Sequence, residues 1–177
     1  RGFGKKDKMR ESLTYFSKLQ KFFHRELEVL IHKDKIFHQK LLALKEAISK
    51  TRKAYLETNS FQFCEECSKK GVKCCGEGLE WKLSPEEFFL NLFLFKLEGK
   101  TFSLSHPQKG DCLFLGEKGC FLILTPLFCR NFFCTELKNF LGEKNLIYLQ
   151  NVLEEEALLT FELCEYLKRK SLSLGGF

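Results

Sequence analysis

Ser84-Pro85-Glu86-Glu87-Phe88-Phe89-Leu90-Asn91-Leu92-Phe93-Leu94-Phe95-Lys96-Leu97 is the stretch on which the fold turns. Ser84 suits a helix N-cap, Pro85 the first helical position, and Glu87 completes a capping box by reaching back to the cap backbone. The spacing predicts a helix that stops at Lys96 or Leu97, close to Gly99. Phe88, Phe89, Leu92, Phe93 and Phe95 make it apolar nearly all round, so it is expected to be buried. A helix of that kind must be covered by the rest of the 177 residues.

Upstream, residues 8–58 contain neither Gly nor Pro. Alternating steps of three and four pick out Leu13, Phe16, Gln20, Phe23, Leu27, Leu30, Asp34, Phe37, Leu41, Leu44, Ile48, Thr51 and Tyr55, of which ten are apolar or aromatic. That is a sustained heptad stripe and predicts helix throughout. A single helix of about 48 residues would span roughly 70 Å, too long for one small domain to cover. The arm is therefore expected either to break into a hairpin near His32–Lys35 or to pair with a second chain as a coiled coil, the hairpin being preferred. Asn59-Ser60 ends it.

Downstream, Leu146, Leu149, Leu153, Ala157, Phe161, Cys164 and Leu167 predict a last helix over 143–170. Glu154, Glu155 and Glu156 are placed on its outer side, and the tail from Ser171 is expected to fray. The fold class is mainly α: a helical arm or hairpin (residues 1–60) and a C-terminal helix (143–177) around a small cysteine-rich, metal-stapled module (61–142) with a short β-hairpin. That hairpin is placed at Cys112–Leu115 and Cys120–Leu124, around Gly116-Glu117-Lys118-Gly119. Thr125-Pro126 then starts a helix carrying Cys129 and Cys134.

Composition narrows the function classes. Hydrophobic residues make up 44% and charged residues 29%, which suits a globular chain and not a disordered one. No apolar run approaches the eighteen or so residues of a spanning helix, so no membrane partner is expected. No secretory leader is evident, and cytoplasm is the expected compartment. Phosphate-loop, dinucleotide, zinc-protease and serine-hydrolase motifs are absent. The net charge of +6 sits on the arm: residues 1–60 hold fifteen Lys or Arg against seven Asp or Glu. A solvated helix face accounts for this. A homodimer or protein partner through the arm is the sharper reading; nucleic acid is weakly supported, because no RNA-binding motif accompanies the charge.

The chemistry lies in the cysteines. Eight of nine fall between Cys64 and Cys134: Cys64-x-x-Cys67, Cys74-Cys75, Cys112, Cys120, Cys129-Arg130 and Cys134. Cys64 and Cys67 share one tight turn, which brings two sulfurs to one side, as zinc or iron ligation requires. Adjacent side chains diverge, so Cys74 and Cys75 are expected to serve different metals, or only one of them to ligate. Cys129 and Cys134, about 140° apart on one helix at 3.6 residues per turn, would likewise serve different metals, unless the helix unwinds near Cys134. Gly71, Gly76 and Gly78 allow tight folding around sulfur, and Lys69, Lys70 and Lys73 offset thiolate charge. Arg130 is assigned to cofactor binding, donating to sulfide or thiolate; pairing with Glu136 is its plainer role. His106 reads as a loop histidine rather than a ligand, and Cys164 as core packing. Disulfides are the competing reading for the cluster.

The ordered set Cys64-x2-Cys67-x6-Cys74-Cys75, Leu83-Ser84-Pro85-Glu86-Glu87, Cys112-Leu113-Phe114-Leu115, Gly119-Cys120 and Pro126-x2-Cys129-Arg130-x3-Cys134 resembles the CxxCxxCC family of cysteine-cluster proteins, the YkgJ type. The resemblance covers about residues 61–140. It departs from the family in the six-residue gap after Cys67, where two is usual, and in Thr125-Pro126, where Arg-Pro is usual. It implies a zinc- or iron-chelating domain with ligands among Cys64, Cys67, Cys74, Cys75, Cys112, Cys120, Cys129 and Cys134. The expected cofactor is an iron–sulfur cluster or zinc, iron–sulfur slightly preferred. Related flagellin lysine N-methylases suggest the alternative of a methyl-transfer or redox enzyme using the cluster, although no methyl-donor site is recognisable. A third reading is an interaction protein with a basic arm and a purely structural metal.

Overall fold

The computed structural model describes residues 5–72, 74–104, 110–117 and 119–176, with residues 5–7 described in their backbone alone. Lys73 and His106, weighed above, lie outside them. The chain is mainly helical, with one two-stranded antiparallel hairpin.

The arm forms α1 (Lys5–Phe22), a widened turn over Phe23–Leu27, α2 (Leu30–Lys33) and α3 (Lys35–Glu57). It breaks at Asp34, whose backbone is extended (φ −111°, ψ 98°) and whose carboxylate accepts the Phe37 N–H at 2.9 Å as the N-cap of α3. The Tyr166 hydroxyl donates to the other carboxylate oxygen. The break therefore lies within the polar interruption expected from sequence. The heptad stripe is covered within this chain: Phe16, Phe23, Leu27, Phe37, Leu41, Leu44 and Ile48 are buried in one core. α3 ends before Asn59, which adopts the left-handed conformation (φ 56°) and turns the chain into α4 (Ser60–Lys69).

What covers the stripe is α5 (Pro85–Leu97). Its capping box is formed as the sequence predicts: Glu87 N–H donates to Ser84 Oγ at 3.1 Å, and Ser84 N–H to Glu87 Oε2 at 2.9 Å. Phe88 through Leu94 are all buried, so every side of the helix is covered. α1, α3 and α7 (Thr135–Ser173) pack around it. Rings interlock across these joints: Phe16 with Phe88 at 5.0 Å, Phe23 with Phe93 at 4.7 Å, Phe37 with Phe93 at 4.8 Å. The two Phe93 pairs are edge-on, an arrangement that adds about 0.5–1.5 kcal/mol each to the area they bury.

α7 departs from expectation at both ends. It begins at Thr135, bends at Gly142 (φ 67°, ψ 169°) and continues to Ser173, with Ser171 buried rather than frayed. Its buried stripe runs Leu149, Leu153, Glu156, Thr160, Leu163 and Leu167. Ala157 is only partly buried and Phe161 is 66% exposed. Glu156 thus points into the protein, not outward as the sequence reading had it. Two arm lysines meet acids on the outer flank of α7, Lys40 with Glu162 at 2.7 Å and Lys50 with Glu155 at 3.1 Å. Part of the basic arm is therefore turned onto this chain's own acidic helix.

One polar residue of α5 places the cysteine module. Asn91 is fully buried; its amide accepts from Leu124 N–H at 2.9 Å and donates to Leu124 C=O at 2.9 Å and Glu87 C=O at 3.0 Å. The segment between Cys120 and Cys129 is thereby tied to the core helix. Asn91→Ala strands both Leu124 groups, each costing about 1–3 kcal/mol when left buried and unpaired. Urea unfolding should show a loss of that order, and an Asn91→Ala protein as stable as wild type would refute the tie.

The Asp34 cap carries a pH dependence. The Phe37 N–H, followed by the Tyr166 hydroxyl, holds its carboxyl below the usual aspartate range. A depressed folded-state value stabilises above the unfolded pKa, about 3.9, and that contribution is lost as pH falls through the folded value. Asp34→Ala should cost about 1 kcal/mol near neutrality. The difference in melting temperature between wild type and Asp34→Ala should narrow below about pH 4. A pH-independent difference would show that the charge of the cap contributes nothing.

Candidate metal centre

Seven of the eight cysteines of the module are positioned by an identifiable local structure. Cys64 and Cys67 lie three apart on α4, on one helical face and not in a tight loop, so the expected turn is corrected while the shared side remains. Cys75 and Cys112 are held by an antiparallel bridge between Gly76 and Asp111, with Cys112 N–H donating to Cys75 C=O at 3.0 Å. Cys120 pairs with Leu115 in the hairpin of β1 (Leu115–Gly116) and β2 (Gly119–Cys120), which is shorter than predicted but set around the same turn. Cys129 lies on α6 (Leu127–Arg130), a single turn. Cys134 is not on that helix: the chain leaves it at Asn131, and Cys134 is the N-cap of α7, its Sγ accepting Leu137 N–H at 3.4 Å.

The sulfurs gather. Cys64 lies within electrostatic reach of Cys74, Cys134, Cys67 and Cys75. Cys112 feels Cys120 and Cys75, and Cys129 feels the same two. Cys164 packs against the core, and burial, ahead of the Glu87 and Glu86 charges, pushes its thiol up. None of the nine is disulfide-bonded. Among the described residues, no three His, Cys, Asp or Glu side chains converge closely enough to hold an ion as they stand. Ligation would draw the sulfurs inward from this arrangement.

Sulfur is met by backbone N–H groups. Cys112 accepts from Phe114 N–H and Cys120 from Leu122 N–H, both two residues on, and Cys120 also from the Thr125 hydroxyl. Such donors favour the thiolate. Burial opposes them and pushes the Cys64 and Cys129 thiols up to about 11 and the Cys112 thiol up to about 12. Without a cation these sulfurs are therefore protonated near neutrality. Of the lysines expected to offset thiolate charge, Lys69 is paired with Glu65 at 2.8 Å.

Arg130 is the charged group at the rear of the module. It is 5% exposed, stands over the Tyr55 ring at 5.4 Å, and its backbone carbonyl accepts the Tyr55 hydroxyl. Glu136 is not its ion-pair partner. Its Nε lies 3.9 Å from Oε1 of buried Glu156, and its charge reaches Cys120. Nε and Nη2 of Arg130 and Oε2 of Glu156 have no hydrogen-bond partner among the described residues. Arg52 stands nearby, its Nη2 donating to Leu122 C=O and Ile123 C=O at 3.0 Å. Glu156, Arg52, Tyr55 and the Thr125 hydroxyl are thus site residues that the sequence reading missed. A stepwise register through Leu153, Glu156, Thr160 and Leu163 would have found Glu156, against its hydropathy.

Removing one partner of a buried ion pair leaves the other charge uncompensated, at a cost of about 3–5 kcal/mol. Glu156→Leu should destabilise by about that much, and Arg130→Met added to it should restore most of the loss. Denaturant unfolding of the two single variants and the double variant checks this; additive losses would show that the two groups do not interact.

Among the described residues, no helix is long and apolar enough to cross a membrane. Comparison of the chain with protein-family models, with curated proteins and with solved structures finds no match.

Proposed function

We propose that this is a metal-binding protein whose module holds zinc or an iron–sulfur cluster through its clustered cysteine thiolates. The observation that carries the reading is the gathering of the cysteines. Cys64 lies within electrostatic reach of Cys67, Cys74, Cys75 and Cys134, and Cys112, Cys120 and Cys129 lie within reach of Cys75, so Cys75 links the sulfurs of α4 and the start of α7 to those of the hairpin and α6. Neutral buried thiols gain little from such convergence, and a cation that takes them as thiolates gains much. The motif resemblance to the CxxCxxCC family supports the same reading. Arg130, with two N–H-bearing nitrogens left over, suits the rim of an anionic metal–thiolate centre.

A second reading, a methyl-transfer or redox enzyme with the centre in its active site, draws on one observation. Cys64 and Cys74 are exposed, while the other six cysteines of the module are partly buried. Reactive sulfur has to be reachable, and these two are.

Anaerobically purified protein, analysed for zinc, iron and sulfide, tests the main reading. Bound metal is expected, and adding it to the reduced, metal-free protein at pH 7 should release roughly one proton per ligating thiol. Cys64→Ser, Cys67→Ser, Cys112→Ser and Cys129→Ser should each reduce metal content, and Cys164→Ser should not. Metal-free protein with an unchanged near-UV signal, or equal metal loss in Cys164→Ser, would overturn the assignment.

A further inference from the structure

We propose that the cavity between the widened turn of the arm and the C-terminal end of α5 is a binding site for a small aromatic carboxylate. The proposal goes beyond the metal-binding reading and does not depend on it, since no cysteine lines the cavity.

The cavity has a volume of about 250 Å³. Pockets for drug-sized ligands begin at about 300 Å³, so this one suits a single ring or two fused rings. Its floor is Phe23, Leu92 and Phe102, which are 1%, 4% and 6% exposed. Phe95 and Phe102 meet edge-on, with ring centres 5.2 Å apart and planes at 87°, and make an aromatic corner. A flat ring in such a corner stacks on one phenyl and meets the other edge-on, both favoured arrangements. The wall on the arm side is the turn over Phe23–Leu27, which is wound more widely than an α-helix. Single turns of this kind are frequent at functional sites, because the inserted residue re-aims its neighbours. Here the turn sends Phe23 to the floor and His24 to the rim.

The rim selects charge. Lys96 and Lys100 line the cavity against one carboxylate, Glu28. Glu28 is already engaged, by His24 at 2.9 Å and by the Lys96 ammonium. Lys100 is the spare cation. It donates to Glu98 at 2.7 Å, but Glu98 does not line the cavity and also meets the charges of Lys45 and Arg52. The Lys100 side chain is 62% exposed, and exposed pairs of this kind hold their partners weakly. Lys100 is therefore free to turn to a ligand without stranding Glu98. Gln20 donates one amide N–H to Phe102 C=O at 3.4 Å and has a second for the same ligand group. An aromatic ring bearing one carboxylate satisfies floor and rim together. A cationic ring would be repelled by Lys96 and Lys100, and a neutral one would leave Lys100 unused.

The test uses the full chain and three probes of one shape: β-naphthoate, β-naphthylmethanol and β-naphthylmethylamine. Calorimetric titration should show saturable binding of one naphthoate per chain. It should be about tenfold or more tighter than binding of the alcohol, the difference one charge-assisted hydrogen bond makes, with the amine weakest. Lys100→Met should bring naphthoate down to the affinity of the alcohol and leave the alcohol unchanged, whereas Lys50→Met, which removes an exposed lysine elsewhere, should alter neither. Amide chemical-shift mapping on wild type locates the site without any variant: the shifts on adding naphthoate should centre on Gln20, Phe23, His24, Lys100 and Phe102. Absence of saturable binding, equal affinity for the three probes, an undiminished preference for naphthoate in Lys100→Met, or shifts centred elsewhere would each overturn the assignment.

Discussion

α5 must be covered on every side, and most of the architecture follows from that requirement. An isolated 13-residue helix with no polar face has no stable position in water. Its neighbours have to arrive from at least three directions. The arm can supply two of them only if it reverses, which is the structural reason for the break at Asp34. α7 supplies the third, running back beside α3 and α5. A straight coiled coil through residues 8–58 would have left α5 without a cover.

The same helix determines where the chemistry sits. Asn91 is the one polar side chain along its buried middle, and it pairs with both the N–H and the C=O of Leu124. The backbone that carries Cys120, Cys129 and Arg130 is thereby placed against the aromatic core. Glu80 does similar work on the other side: buried at 2% exposure, it accepts from Ser12 Oγ at 2.8 Å and Gly78 N–H at 2.9 Å, fastening α1 to the chain that leaves Cys75. The cysteine loops contain little regular structure of their own, so their positions come from these polar ties together with the buried Leu113, Phe114, Leu122 and Leu124, which seat the loops of Cys112 and Cys120 on the core.

Local signals made α5 readable from sequence: Ser84, Pro85 and Glu87 declare its start, and seven successive apolar or aromatic positions, interrupted by Asn91 alone, declare its burial. The arm's stripe was readable for the same reason, although periodicity shows only that a face is covered and not by what. The register of α7 was misread because Ala157 and Phe161 are more apolar than Glu156 and Thr160, while the fold buries the polar pair. Hydropathy cannot anticipate a carboxylate whose partner, Arg130, arrives from another element. Cys134 was misplaced because α6 is one turn long and cysteine is not a usual N-cap residue. The hairpin pairing was legible in its paired glycines.

Charge balance connects the fold to the proposed chemistry. Arg130 and Arg52 stand close enough to repel, and Glu156 is the buried carboxylate they share. Arg52 also meets the charge of Glu98, whereas Nε and Nη2 of Arg130 have no hydrogen-bond partner among the described residues. That is a costly state for a buried group. Deprotonating the thiols without a cation would replace it with another, several thiolates crowded beside one another. In the proposed centre, cation and thiolates together would relieve the repulsion among the sulfurs and give the unmet guanidinium an anionic neighbour. Formation of the metal centre and settling of the Arg130–Glu156 corner should therefore be one coupled event, in which the ligands stabilise the core and the core, through Asn91, presents the ligands.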